Sequence, residues 1–289
     1  MEKKVFKKTI VLGASGFIGS SLCKLLKKKK ITHLSFNSKN CNLLKRSSFD
    51  ILKKNINNGD KIILISAIAP CKTIKDLTQN IKMLDSLLKL ISDKKISHLI
   101  YISSDAVYED SLKKMTENSS IKPNSLHGIM HCVREDLLKL YFKNNLSIVR
   151  PTLVYGPQDT HNGYGPNYFA RNALQNRNIH VFGNGEELRD HVYIDDVSQL
   201  IFEILNKKKN GIFNAVSANP ITFHDLAKKI IKKFKSKSKI IKIPRKGPMP
   251  HNGYRCFNNN KLKKIFPNLR QTKINQGISK LEKIKNITT

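Results

Sequence analysis

The stretch VLGASGFIGSSL, residues 11–22, sets the fold of this chain. The apolar run Val5–Leu12 has the length and composition of a buried strand, and Phe17–Leu26 reads as the helix that follows. Gly13, Gly16 and Gly19 mark the junction. Glycine at a strand-to-helix turn permits a tight bend, lets the backbone approach a pyrophosphate, and lets helix and strand pack closely. The helix start then offers unpaired N–H groups and the positive end of its dipole to an anion. Gly13, Ser15, Gly16, Phe17, Ile18 and Gly19 therefore form a candidate dinucleotide-binding turn. Its spacing is Gly-x-x-Gly-x-x-Gly, not the Gly-x-Gly-x-x-Gly of dehydrogenases with a separate cofactor domain.

Strand-like and helix-like segments go on alternating beyond this turn. Ile62–Ile65, Leu99–Ser103, Leu146–Val149 and Ile212–Val216 read as short buried strands. Thr73–Ile91, Leu126–Phe142, Val192–Leu205 and Phe223–Phe234 read as helices. In the first of these, Ile74, Leu77, Ile81, Leu84, Leu87, Leu88 and Ile91 recur at helical spacing. Such alternation predicts an α/β fold with a parallel sheet covered by helices on both faces. Gly156–Asp190, rich in Gly, Pro and Asn, reads as loop-dominated. There is no internal repeat and no linker long enough to separate independent domains.

Composition excludes several classes. A chain of 289 residues with 39% hydrophobic content can bury a sizeable core. No apolar run approaches the ~18 residues needed to cross a bilayer. The basic Met1–Lys8, with an apolar stretch after it, superficially looks like a secretory signal. The ordered glycines and the lack of a small-residue cleavage site make it the first strand and helix instead, and a cytoplasmic location is expected. Cys23, Cys41, Cys71, Cys132 and Cys256 are scattered with no Cys-x-x-Cys pair, which fits neither a disulfide framework nor a structural zinc site. The formal charge of +32 arises from 44 Lys against 9 Arg. Arg is the side chain suited to bidentate recognition of bases and phosphates. Lys, Asn and Ile share AT-rich codons, so coding bias rather than nucleic-acid binding accounts for the excess.

Four later segments, YISSDAVY (101–108), RPTLVYGP (150–157), RDHVYIDDV (189–197) and GYRCFNNNKL (253–262), follow VLGASGFIGSSL along nearly the whole chain. In this order they resemble the extended short-chain dehydrogenases/reductases, the NAD-dependent epimerase/dehydratase group that modifies nucleotide-linked sugars. The resemblance implies a Rossmann-type doubly wound parallel sheet from residues 1–156 plus 191–220. A smaller C-terminal substrate lobe would comprise residues 157–190 plus 221–289. It places Ser66 and Ala67 under the cofactor and Asn80 in contact with it. It gives Ser104 the hydrogen bond to the reacting sugar hydroxyl, and Arg189 and Arg255 the nucleotide diphosphate, with Asn167 also at the substrate. The implied partner is a nucleotide-diphosphate sugar, not nucleic acid or membrane. Family members often pair through helices corresponding to Thr73–Ile91 and Leu126–Phe142, so a homodimer is expected. In NAD-specific relatives an acidic residue after the second strand holds the ribose 2′-OH. Phe36-Asn37-Ser38-Lys39 has no carboxylate there, and Ser38 and Lys39 could take a 2′-phosphate. NAD and NADP both stay open.

The catalytic motif departs from the family. Its members use Tyr-x-x-x-Lys, a tyrosine acid/base whose pKa the lysine lowers, but no Tyr here has Lys four residues later. At the matching place, after TENSSIKPNS (116–125), stand His127 and His131, which share a helix face. His127 could replace Tyr as acid/base, with His131 binding the nicotinamide ribose and tuning it. Alternatively, the redox step is lost and the protein only binds nucleotide or nucleotide sugar. A third reading is a metal pair, although no third ligand is evident. Asp105 stands where sugar-nucleotide dehydratases carry an Asp acid, but Ala106 replaces their Glu, which disfavours a full 4,6-dehydratase. Leu153 replaces an Asn common at the substrate. The reading carried forward is a nucleotide-sugar epimerase or reductase using NAD(P), with a catalytically silent binding protein as the alternative.

Overall fold

The computed structural model describes residues 7–161 and 163–284; Val5 and Phe6 of the first expected strand lie outside them. Strand β1 (Thr9–Leu12) is buried at every position, as suits a strand covered on both faces. After it come α1 (Phe17–Lys28), β2 (His33–Phe36), α2 (Ser47–Asn55) and β3 (Lys61–Leu64). Strand β1 pairs in parallel with β2 on one side and β3 on the other. The chain therefore crosses back over β1 on its way to β3. That reversal is the switch point at whose carboxyl end open α/β sheets bind ligands.

Helix α3 (Ile74–Ile91) starts at a capping box in which Thr73 accepts from the Asp76 N–H and Asp76 accepts from that of Thr73. A cap of this kind contributes about 1 kcal/mol. Next come β4 (His98–Ile102), α4 (Leu126–Tyr141), capped by Ser125, and β5 (Leu146–Pro151). Strands β3 and β4, and β4 and β5, are also parallel.

The chain continues through β6 (Leu153–Tyr155), α5 (Pro166–Leu174), β7 (Ile179–Phe182), β8 (Leu188–Arg189), β9 (His191–Tyr193), α6 (Ile194–Lys207) and β10 (Gly211–Ala215). It ends with β11 (Ile221–Thr222), α7 (Phe223–Phe234), β12 (Ile240–Ile243), β13 (Tyr254–Arg255), α8 (Asn260–Ile265) and α9 (Ile274–Leu281). The main sheet has the order β10-β5-β4-β3-β1-β2, the Rossmann-type arrangement. The loop-dominated 156–190 stretch is interrupted by regular elements. It holds α5, which starts at Pro166 after Gly165, and β7, whose residues alternate buried and exposed.

Two compact units result, residues 1–109, 120–151 and 198–213, and residues 110–119, 152–197 and 214–289. Residues 110–119, 152–156, 191–197 and 214–220 thus go with the second unit rather than with the sheet domain expected from the sequence. The core of the first unit is aliphatic, with Ile10, Leu12, Leu64, Leu84, Leu99 and Ile148 among its members. In the second, β8 is flanked by antiparallel β11 and parallel β13, while β7 pairs with β12 and β6 with β9. No helix among the described residues is long and apolar enough to cross a membrane.

Candidate active site

The three glycines of the first turn play different parts. Gly13 has φ +94°, and a Cβ there would lie 2.7 Å from the Ser66 nitrogen. A Cβ on Gly19 would collide with the Gly13 carbonyl oxygen. Gly13 lets the turn pass the segment after β3, and Gly19 lets α1 close on the turn. Gly16 has ordinary dihedrals, and its Cβ would meet only the Gly13 carbonyl oxygen at 3.5 Å. Gly16 also caps α1 without any side-chain bond to the first-turn N–H groups, which stay available to an anion.

A cavity of about 380 Å³ opens here, with Gly13, Ser15, Gly16, Ser38, Ser66 and Ala67 among its walls and no carboxylate. Phe17 and Ile18 begin α1, and the exposed Lys39 does not line the cavity. The backbone of Lys39 is tied into the loop after β2, its N–H donating to Asn37 Oδ1 at 2.9 Å.

Asn80, expected at the cofactor, is bound to backbone groups. It is fully buried; its amide donates to the Ile68 and Asp76 carbonyls, and its Oδ1 accepts from the Ile68 N–H at 3.0 Å. Its hydrogen bonds hold the Ile68 wall of the cavity, so it shapes the pocket from behind. Asn167 is likewise a brace: its Oδ1 accepts from the Gly156 N–H, and its Nδ2 donates to the Gly156 carbonyl.

In the first unit, α4 carries the histidine pair. Helix α4 approaches the 105–107 turn so closely that a Cβ on Gly128 would strike the Ala106 carbonyl oxygen. On that turn the Ser104 hydroxyl caps the Ala106 N–H at 3.1 Å. The His127 and His131 rings meet edge-to-face, centroids 4.7 Å apart. The Cys71 N–H donates to His127 Nδ1 at 3.4 Å, a long bond that favours the Nε2–H tautomer. Burial lowers the His127 pKa, while the Asp105 charge partly restores it. His131 is buried and lies 2.6 Å, Nδ1 to oxygen, from the Tyr101 hydroxyl. Burial first, then His127 and Arg134, press its pKa well below the ordinary value. Among the described residues these histidines join no group of three or more that could hold a metal ion.

Behind the pair lies a polar network invisible to sequence spacing. Glu135 accepts from the Ser103 hydroxyl at 2.6 Å and, bidentately, from the Arg150 guanidinium. Arg134, fully buried, donates to the Ser66 carbonyl at 3.0 Å and lies over the Tyr101 ring, 5.0 Å from its centre.

In the second unit, strand register makes Arg189 on β8 and Arg255 on β13 direct neighbours. Arg189 is paired not with adjacent Asp190 but with Glu187, and it also donates to the Pro250 carbonyl at 2.9 Å. Glu187 binds a second guanidinium, Arg245, which the sequence reading missed. The available signal was its scarcity, an Arg in a chain whose cations are mostly Lys. Arg255 pairs with Asp110 at 3.1 Å, and Asp110 also faces His251. Three guanidiniums and two carboxylates leave this cluster with excess positive charge.

The family model described as "NAD dependent epimerase/dehydratase family" matches residues 9–215. The Bacillus subtilis (strain 168) protein named Uncharacterized UDP-glucose epimerase YtcB is 29% identical over 231 residues, covering 69% of this chain and 73% of that protein. The ADP-L-glycero-D-manno-heptose-6-epimerase of Brachyspira hyodysenteriae is 27% identical over 264 residues, covering 79% of this chain and 82% of its own. The crystal structure of the Thermus thermophilus UDP-glucose 4-epimerase in complex with NAD aligns with a TM-score of 0.83 at 19% identity. The match covers 97% of this chain and 99% of that one, a likeness of fold.

Proposed function

The chain belongs to the NAD dependent epimerase/dehydratase family, and from that premise we propose that it epimerises or reduces a nucleotide-diphosphate sugar with bound NAD(P). The observation that carries this reading is the first unit itself. It holds an open Gly16 turn at a carboxylate-free cavity and, on the same unit, a histidine pair beside Ser104 and Asp105. The chemistry supplied by bound NAD(P) is acceptance of a hydride from the sugar carbon and its return. Ser104 holds the sugar hydroxyl. His127 takes its proton at Nδ1, the bare nitrogen of the Nε2–H tautomer, giving up the long Cys71 bond. Asp105 steadies the imidazolium that results, and His131 presents its Nε2–H to the ribose. The test is turnover: purified protein given UDP-, GDP- and dTDP-sugars should yield an epimer or a reduced sugar. No product and no change in nicotinamide absorbance across the panel would turn the reading toward a binding protein.

The diphosphate is assigned to Arg189 and Arg255, with Arg245 beside them. Charge-assisted hydrogen bonds contribute about 1.5–3 kcal/mol each. Replacing Arg189 or Arg255 with Ala should weaken UDP, GDP or dTDP binding roughly ten- to a hundred-fold by calorimetry, at about 1.4 kcal/mol per decade of affinity. Cofactor affinity should hold; unchanged nucleotide binding in both variants would remove the assignment.

Without a carboxylate to accept from the adenosine ribose and to repel a phosphate, the cavity suits NADP better than NAD. NADPH should bind several-fold tighter, and Ser38→Asp should reverse the order. Equal affinities, measured by nicotinamide fluorescence, would count against Ser38 as the discriminating position.

The homodimer is assigned to α4, whose Ile129, Val133 and Leu140 are exposed. Val133→Glu should convert a dimer to a monomer in sedimentation equilibrium; a monomeric wild type would contradict it.

A further inference from the structure

Arg134 is an unusual group to find inside this unit. It is fully buried, and its Nε and Nη1 have no hydrogen-bond partner among the described residues. The nearest carboxylate on its own helix, Glu135, is already committed to Arg150 and Ser103. What the guanidinium does touch is the face of the Tyr101 ring, while the Tyr101 hydroxyl touches His131. Arg134, Tyr101, His131 and His127 thus form an unbroken line from a buried cation to the proposed base.

The direction of the Tyr101–His131 hydrogen bond follows from counting donors. Tyr101 is buried, and among the described residues its hydroxyl has one partner, His131 Nδ1. If the imidazole donated, the phenol proton would be left buried with no acceptor. A cation over the ring also draws electron density from the phenol, making its O–H the better donor. The hydroxyl therefore donates, Nδ1 accepts, and His131 carries its proton on Nε2.

We propose that Tyr101 and Arg134 are positioning residues that lock His131 as a neutral Nε2–H imidazole, leaving His127 the single titrating member of the pair. The groups facing the pair are Tyr101 from β4, Arg134 from α4, Asp105 from the 105–107 turn and the Cys71 N–H. Burial is the first cause lowering both rings; Asp105 partly offsets it at His127, while His127 and then Arg134 add to it at His131, so the two rings part in proton affinity. The catalytic consequence rests on His127 as the acid/base, but the lock itself does not.

The test is nitrogen NMR of labelled histidines, which needs no turnover and so fails or succeeds independently of the proposed activity. In the wild type, His131 should show one tautomer, protonated at Nε2, and no titration through the physiological range, while His127 titrates alone. Tyr101→Phe keeps the ring and should mix the His131 tautomers. Arg134→Gln should raise the His131 midpoint, which burial still holds low, and Arg134→Lys should return it to the wild-type value. A merely structural Arg134 would change melting temperature with no change in midpoint. A wild-type His131 protonated at Nδ1, or a His131 midpoint indifferent to Arg134→Gln, would overturn the proposal. If Arg134→Gln does not fold, the wild-type tautomer and the Tyr101→Phe spectrum still decide it.

Discussion

Replacing His127 with Phe should leave cofactor and nucleotide binding in place and lower turnover by at least about 100-fold, the factor typical of losing a general base. Phe keeps a ring of similar bulk at the edge of His131, so the packing of α4 on the 105–107 turn should survive. The pH profile of the wild type carries the more diagnostic signal. Burial moves the His127 pKa below the 6.5 of an ordinary imidazole. The base form is the lower-charge form, so kcat/KM should be level at neutral pH and fall only as pH drops through that lowered value. An activated tyrosine would instead lose activity across a higher range. His127→Tyr should recover little because no lysine stands at 131, whereas His127→Tyr with His131→Lys rebuilds the family pair. A fully active His127→Phe enzyme would refute the base assignment.

Gly16→Val should abolish NAD(P) binding while the protein stays folded. The turn itself tolerates a side chain at this position, since only the Gly13 carbonyl comes near and the dihedrals are those of any residue. The branched side chain would instead fill the approach to the free first-turn N–H groups of α1, where the pyrophosphate must come closest. Gly19→Ala is the contrasting variant. Its methyl would drive into the Gly13 carbonyl, so it should lower the melting temperature directly. Equal NAD(P) affinity in wild type and Gly16→Val would show that the turn is only structural.

Local patterns made the first half of this fold readable, and long-range pairing hid much of the site. The switch-point turn and α3 were legible because glycine spacing and helical periodicity are properties of short windows. Helix α5 was not: Pro166 and Gly165 read as breakers, yet Pro at a first helical position is pre-set for a helix, and Phe169, Ala170 and Ala173 provide the buried face. The backbone hydrogen bonds of Asn80 and Asn167 were not legible, since a sequence cannot say which main-chain groups an amide will meet. Glu135 with Arg150 joins α4 to β5, and Glu187 with Arg245 joins two segments far apart in the chain, with no spacing rule to predict either pair. Arg134 and Tyr101 were passed over for the same reason.

The division of labour between the two cations has a consequence for how this molecule tolerates change. Arg134, Arg150, Arg189 and Arg255 are buried, and no lysine is buried among the described residues. If codon drift has been exchanging one cation for the other, it has run freely where water surrounds the charge and stopped where a flat, forked shape is required. The rare letter in this alphabet therefore works as a marker. Where the chain still spells arginine in its interior, the geometry of the cation matters, and an exchange for lysine there would preserve the charge while losing the fit.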